Sequence, residues 1–168
     1  MTSTDAASAL KSPWSRVAET APEFAAETAA LFRAFPNKTL ATLRKDGSPR
    51  LAAIELWMTE EHAVVILMAQ SAKARDIRRD PRISVLSGSS GASDVPVWPT
   101  ARISGRVAPV AEAALEASLL EAAGVPAEFG AGSVFLIDID EVVITRIGDN
   151  TMETVLWKDG RLRHIGSN

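Results

Sequence analysis

The chain has 168 residues, 46% of them hydrophobic, a formal net charge of −3 and no cysteine. That length allows one substantial core and excludes two ordinary domains, while the missing thiols exclude disulfides, iron–sulfur clusters and thiolate zinc sites. His62 and His164 stand far apart in no ligand-spaced cluster, which disfavours a histidine-rich metal site, and a pI near 5.4 disfavours nucleic-acid binding by the whole surface.

Residues 1–21 are rich in Ala, Ser and Thr and lack the apolar core of a signal peptide, so they are expected to be a flexible tail. No later stretch is long and apolar enough to cross a bilayer, so the expectation is a cytoplasmic protein with no membrane partner. Residues 22–168 are then one domain. From Pro22 a helical pattern places Phe24, Thr28, Leu31, Phe32 and Phe35 on one face, and Pro36-Asn37 closes it. Strands follow over about Thr39–Arg44, Arg50–Met58 and Ala63–Gln70, the first two joined by a turn at Asp46-Gly47, where glycine tolerates a positive φ. In the second and third strands both alternating faces are largely apolar, so the sheet needs cover on both sides.

After Gln70 the chain changes character. Ser71 can cap a helix whose first free amides point outward with the positive end of the helix dipole, and residues 73–82 carry five basic side chains against two acidic ones. That local excess runs against the charge of the whole chain, so the start of this helix is a candidate phosphate cradle with Lys73 beside it. The simpler alternative is a solvated helix with pairs such as Asp76 with Arg79. Pro81 stops the helix, a strand is expected at about Arg82–Leu86, and a Gly/Ser loop covers 87–93. Residues 97–107 alternate, with Val97, Ala101, Ile103 and Val107 on one face and Trp98, Thr100, Arg102, Ser104 and Arg106 on the other. A short helix over 111–123, a long β-prone run over 133–147 and a last hairpin turning at Asp159-Gly160 complete the chain. Many strands with three helices indicate a mainly β (α+β) fold, a closed antiparallel barrel with peripheral helices.

The reactive motifs of common enzymes are missing. No Walker loop, dinucleotide fingerprint, Gly-x-Ser-x-Gly elbow or His-Glu-x-x-His is present, so no catalytic side chain is assigned. Asp138 and Asp140 lack supporting ligands nearby in sequence, and no metal residue is assigned. Trp57, Trp98 and Trp157 suit either a core or the stacking of a flat ligand. A phosphate cradle beside planar side chains, without a nucleophile, points to a borrowed cofactor that carries the chemistry.

The succession Leu40-Ala41-Thr42-Leu43-Arg44-Lys45-Asp46-Gly47-Ser48-Pro49-Arg50, Ser71-x-Lys73, Ile77-Arg78-Arg79-Asp80-Pro81-Arg82 and Ala101-Arg102-Ile103-Ser104-Gly105 resembles the pyridoxamine 5'-phosphate oxidase-like FMN-binding split-barrel superfamily, and within it the flavin- or deazaflavin-dependent reductases. The resemblance spans roughly residues 24–110. It implies a Greek-key split barrel and a homodimer with a cofactor, FMN or the deazaflavin coenzyme F-420, in each interface cleft. It implies oxidoreductase chemistry by hydride transfer on a small-molecule substrate, with binding or storage of flavin or haem, or a cofactor-free interaction domain, as alternatives. The cofactor-binding residues it implies are Ser71, Lys73 and Arg78 at the phosphate, Ala52, Ala53 and Ile54 along the ribityl chain and ring, Met68 and Gln70 on the neighbouring strand end, and Trp98, Thr100 and Arg102, the last two reaching over from the partner subunit.

Two departures from the family pattern stand out. Ala72 replaces an arginine that shares the phosphate, so one anion contact is missing unless Arg50, Arg75 or Arg78 supplies it. Arg50-Leu51-Ala52-Ala53-Ile54-Glu55 replaces the strand expected of true pyridoxamine phosphate oxidases, which argues against vitamin B6 as substrate. Glu55 puts a carboxylate where relatives often carry a small or apolar residue, placed either to repel an anionic reduced flavin, to bind a polar substrate, or to face solvent.

Overall fold

A computed structural model of the chain describes residues 10–88, 99–126, 132–148 and 151–167. Its elements in chain order are α1 (Trp14–Thr20), α2 (Pro22–Ala34), β1 (Lys38–Leu43), β2 (Pro49–Ile54), β3 (Leu56–Met58), β4 (Ala63–Met68), α3 (Ala72–Arg79), β5 (Arg82–Leu86), β6 (Thr100–Pro109), α4 (Ala113–Ala122), β7 (Gly132–Gly148), β8 (Thr151–Lys158) and β9 (Arg161–Ser167). The strands form one antiparallel sheet in the order β2-β1-β5-β6-β7-β4-β3, and β8 and β9 continue from β7 as a second branch.

The expected strand Arg50–Met58 divides at Glu55, and the division closes the barrel. β2 pairs with β1 as far as Lys38 opposite Ile54, and β3 then pairs with β4 from Leu56 opposite Val65. The two margins of the sheet are therefore consecutive segments joined through Glu55. Inside, Leu40, Ile54, Leu56, Val65, Leu67, Ile83, Val85, Ile103, Ile137, Val142, Ile144 and Trp157 share one buried core with Phe24 and Phe32 of α2. Burying the side chains of this core contributes about 1.5–3 kcal/mol for each large residue. Pro22 at the first turn of α2 and the extended Phe35 after it bound that helix as the sequence suggests.

The expected tail needs correction, since residues 14–20 form a helix. Trp14 and Val17 are buried, Ser12 donates its amide to Asp138 at 2.8 Å, the Ile139 amide returns to Ser12 O at 2.9 Å, and Trp157 Nε1 donates to Thr20 Oγ1 at 2.8 Å. Trp14, Val17, Ala18 and Ala21 have helical spacing, but a seven-residue helix is too short to stand out against a background of alanine, serine and threonine. Asp138, a metal candidate by residue type, anchors this segment instead.

The outer face of the sheet carries apolar side chains in register from one strand to the next. Leu51 on β2, Leu86 on β5, Ile147 on β7, Met152 on β8 and Ile165 on β9 are exposed, and cross-strand pairing through Ala41, Ser84, Arg102, Val143 and Thr154 places them on the same side. The β8–β9 turn takes Asp159 at φ 51° and Gly160 at φ 76°, the left-handed pair that a two-residue hairpin needs.

A register shift between Ser104 and Gly105 lets β6 bend over β7. A Cβ at Gly105 would stand 2.1 Å from Asp138 O, so the approach of these backbones requires glycine. Gly105→Ala is expected to destabilise the fold by about 1–3 kcal/mol, read as a lower denaturant midpoint with an unchanged slope.

Candidate active site

The site begins where β4 ends. Met68 O accepts the Ser71 amide at 2.9 Å, the Ser71 hydroxyl accepts the Ala74 amide at 3.3 Å, and α3 starts there with Ala74 and Ile77 buried against the barrel. Among the described residues β2 pairs only with β1, and on its other side Lys73 Nζ donates to Ala53 O at 3.1 Å. Between these segments lies a cavity of about 700 Å³, lined by Asn37, Ala53, Ile54, Glu55, Trp57, Ile66, Leu67, Met68, Ala69, Gln70, Lys73 and Gly132. That volume falls in the range of small-molecule and cofactor pockets, and so does the mainly apolar lining with few polar groups. Gly132 keeps the wall thin, since a Cβ there would stand 2.6 Å from Ile66 Cγ2.

Of the residues expected to hold a cofactor, Ala53, Ile54, Met68, Gln70 and Lys73 line this cavity. Ser71 acts from behind it as the helix cap, and Ala52 lies on β2 beside Ala53. Thr100 and Arg102 lie apart from the cavity on the outer face of β6, where Arg102 donates to Ser104 Oγ at 2.7 Å and pairs with Glu141 at 2.8 Å. Trp98 lies outside the described residues, and so does most of the Gly/Ser loop. Asn37, Ile66, Leu67 and Gly132 are cavity-lining residues that sequence does not single out, and Ala69 lies within the strand end that it does; strand alternation alone cannot say which end of a strand meets a cavity. Trp57 combines the two roles its type suits, since it packs against the buried cluster of Val64, Val110, Leu119, Val134 and Leu136 and also lines the cavity wall.

The cationic run is largely occupied by the fold itself. Arg75 donates to Gln70 O at 2.7 Å, and Arg78 donates to Ala69 O at 2.7 Å and to Ser133 Oγ at 2.8 Å. Arg79 bonds to Leu43 O and lies 3.3 Å from Asp76, and Arg82 pairs with Asp80 at 2.6 Å. Arg50 donates to Asp76 at 2.6 Å. Arg50, Arg75 and Arg78, the side chains available to replace the missing arginine at Ala72, are thus each held by a carbonyl, hydroxyl or carboxylate of the fold.

Asp76 is the buried centre of this network, accepting also from Thr42 Oγ1 at 3.0 Å. Burial pushes its carboxyl up, but the hydrogen bonds from Arg50, Thr42 and Arg79 outweigh that and hold it below its ordinary value of 3.8. The hydrogen bond from Arg82 holds half-buried Asp80 down at about 2. Lys38 is lowered by burial, an effect the negative charge of Glu55 partly opposes. Among the described residues no three His, Cys, Asp or Glu side chains are grouped to hold a metal ion, and no helix is long and apolar enough to cross a membrane.

A family model described as pyridoxamine 5'-phosphate oxidase matches residues 24–145, well over half of the chain. The chain belongs to the pyridoxamine 5'-phosphate oxidase-like family. This family's split barrel accounts for the nine-stranded antiparallel sheet and peripheral helices described above. Solved structures agree on the fold. A pyridoxamine 5'-phosphate oxidase-related, FMN-binding protein from Nostoc punctiforme aligns over 87% of this chain and 95% of its own, with a TM-score of 0.59 and 15% identity. Campylobacter jejuni ChuZ aligns over 86% of this chain and 63% of its own, with a TM-score of 0.68 and 13% identity. A heme binding protein from Mycobacterium smegmatis aligns over 84% and 57%, with a TM-score of 0.56 and 22% identity. No curated protein matches the chain in sequence.

Asp76 and Asp80 titrate lower in the folded chain than in the unfolded one, so the unfolded state takes up protons first as pH falls. Their contribution to stability is fully present above about pH 4 and is lost through the folded-state values, near pH 2 for Asp80. Asp76→Ala is expected to cost about 2–3 kcal/mol at pH 7, because Arg50 and Arg79 lose their shared acceptor while remaining partly solvated. Denaturation curves between pH 2 and pH 7 should show a shallower acid slope in the variant than in the wild type.

Proposed function

We propose that the chain is a homodimeric oxidoreductase that holds FMN, or a deazaflavin in its place, in the cavity between β2 and the β4–α3 junction and passes a hydride to a small molecule. The observation that carries this reading is the Lys73 ammonium, set between Ala53 O and the Ser71-capped start of α3 at the mouth of a mainly apolar cavity. The residues present fit such a group: Lys73 and the first amides of α3 suit its phosphate, and the backbone of Ala52, Ala53 and Ile54 suits the chain and ring edge. Trp57 and Met68 offer apolar surface to the ring's plane, and Gln70 adds a neutral hydrogen-bonding group. The bound flavin supplies two-electron transfer, and the protein orients it and keeps water away from one side of it. With Arg50, Arg75 and Arg78 engaged elsewhere and Ala72 neutral, Lys73 carries most of the charge available to the phosphate.

A second copy completes the reading. The outer sheet face bearing Leu51, Leu86, Ile147, Met152 and Ile165 also carries Thr100 and Arg102, so a partner packed on it would bring those two side chains to its neighbour's cavity. Haem is less well served. His164 is exposed on β9, and His62 is buried in the turn before β4; neither lines the cavity.

Titration of the purified chain with FMN, followed by flavin fluorescence quenching, should saturate, and Lys73→Ala should weaken binding by about tenfold or more. Absence of saturable binding, or no effect of the substitution, would remove the flavin reading. Sedimentation should show a dimer, with Met152→Lys shifting it towards monomer at micromolar concentration. A monomeric wild type would remove the proposed cleft.

A further inference from the structure

Glu55 occupies a position that neither the barrel nor the phosphate cradle explains. It is the hinge residue between β2 and β3, half-buried, and it lines the cavity with Lys73 as its only ionisable companion there among the described residues. Among the described residues no group hydrogen-bonds to its carboxylate, and no cation pairs with it. Most other half-buried or buried carboxylates among the described residues are engaged: Glu27 by Arg146, Asp76 by Arg50 and Thr42, Asp138 by the Ser12 amide and Glu141 by Arg102; Glu116 on α4 is the exception, and it lies away from the cavity. The Glu55 charge is felt by Lys38, whose ammonium is turned away to Phe35 O and Pro36 O.

A half-buried carboxylate on a mainly apolar wall, with no donor from the protein, keeps acceptor capacity that a ligand's donor can fill. We propose that Glu55 is the specificity-determining residue of the cavity, receiving a cationic or N–H donor group of the substrate, so that the cavity takes flat ligands bearing an amidine, amine or protonated ring nitrogen and rejects their carboxylate counterparts. This rests on the reading of the cavity as a ligand site given above. The two charges of the cavity then have different partners, with Lys73 meeting the anion of the cofactor and Glu55 meeting the opposite charge on what the cofactor acts upon. A carboxylate ligand would instead leave two like charges in a wall of low polarity, which costs more than either loses in water.

The test uses benzamidine and benzoate, planar and nearly equal in size but opposite in charge, titrated calorimetrically into the full chain at pH 7 in saturating FMN, whose phosphate occupies Lys73 and leaves Glu55 as the charge the probes meet. Wild type should bind benzamidine at least about tenfold more tightly than benzoate. Glu55→Gln should bring the two within about threefold, Glu55→Asp should keep the preference, and Glu55→Lys should reverse it. Equal affinities in the wild type, a preference that survives in Glu55→Gln, or binding of neither probe would overturn the proposal. FMN affinity reports separately, since it should fall in Lys73→Ala and stay within about threefold in Glu55→Gln. A chain that discriminates the probes but does not bind FMN would leave Glu55 its role and remove the flavin from the cavity.

Discussion

The two margins of this sheet are one continuous stretch of chain, and the rest of the structure follows from that constraint. β2 runs along β1 and β3 runs along β4, so the polypeptide must part from one ladder and join another within a single residue, Glu55. Covalent continuity closes the barrel there, with no ladder between β2 and β3 among the described residues. The backbone groups a seam would have used are left beside an opening, and Lys73 takes one of them, the carbonyl of Ala53. The cavity is thus the gap left by an incomplete closure.

Holding that gap open takes charge inside the fold. The basic side chains between residues 73 and 82 are the densest positive run in the chain, and most of them end on carbonyl oxygens or on Asp76 and Asp80. They fasten α3 to β1, to the end of β4 and to Ser133 of β7. This is how an anion site can rest on one ammonium and a capped helix start: the surrounding guanidinium groups fix its geometry, and Lys73 supplies the charge.

Much of this was legible from sequence where local chemistry decides structure. The Asp-Gly turns, the Ser71 cap, the Pro81 stop and the alternation of Ala101, Ile103 and Val107 each follow from short-range rules, and they place the strands and the cradle. The expected pairing of Asp76 with Arg79 is present as well, but as part of a larger network. What could not be read locally depended on partners distant in sequence. That Arg50 meets Asp76, that Ser12 meets Asp138 and Ile139, and that Glu55 breaks a strand are consequences of packing, and no periodicity signals them. The helix over 14–20 was hidden for a different reason, since its length is too small for its apolar stripe to exceed chance.

Asp76 has one further consequence. A single carboxylate bonded to Thr42 on β1, to Arg50 on β2 and to Arg79 within α3 makes those three segments neighbours in one cooperative unit. Slow amide exchange in α3 should therefore rise and fall together with that of the first hairpin, even though β3 and β4 intervene along the chain. Local fraying at the mouth of the cavity is suppressed by a contact on its far side, and whatever enters would meet a preformed rim.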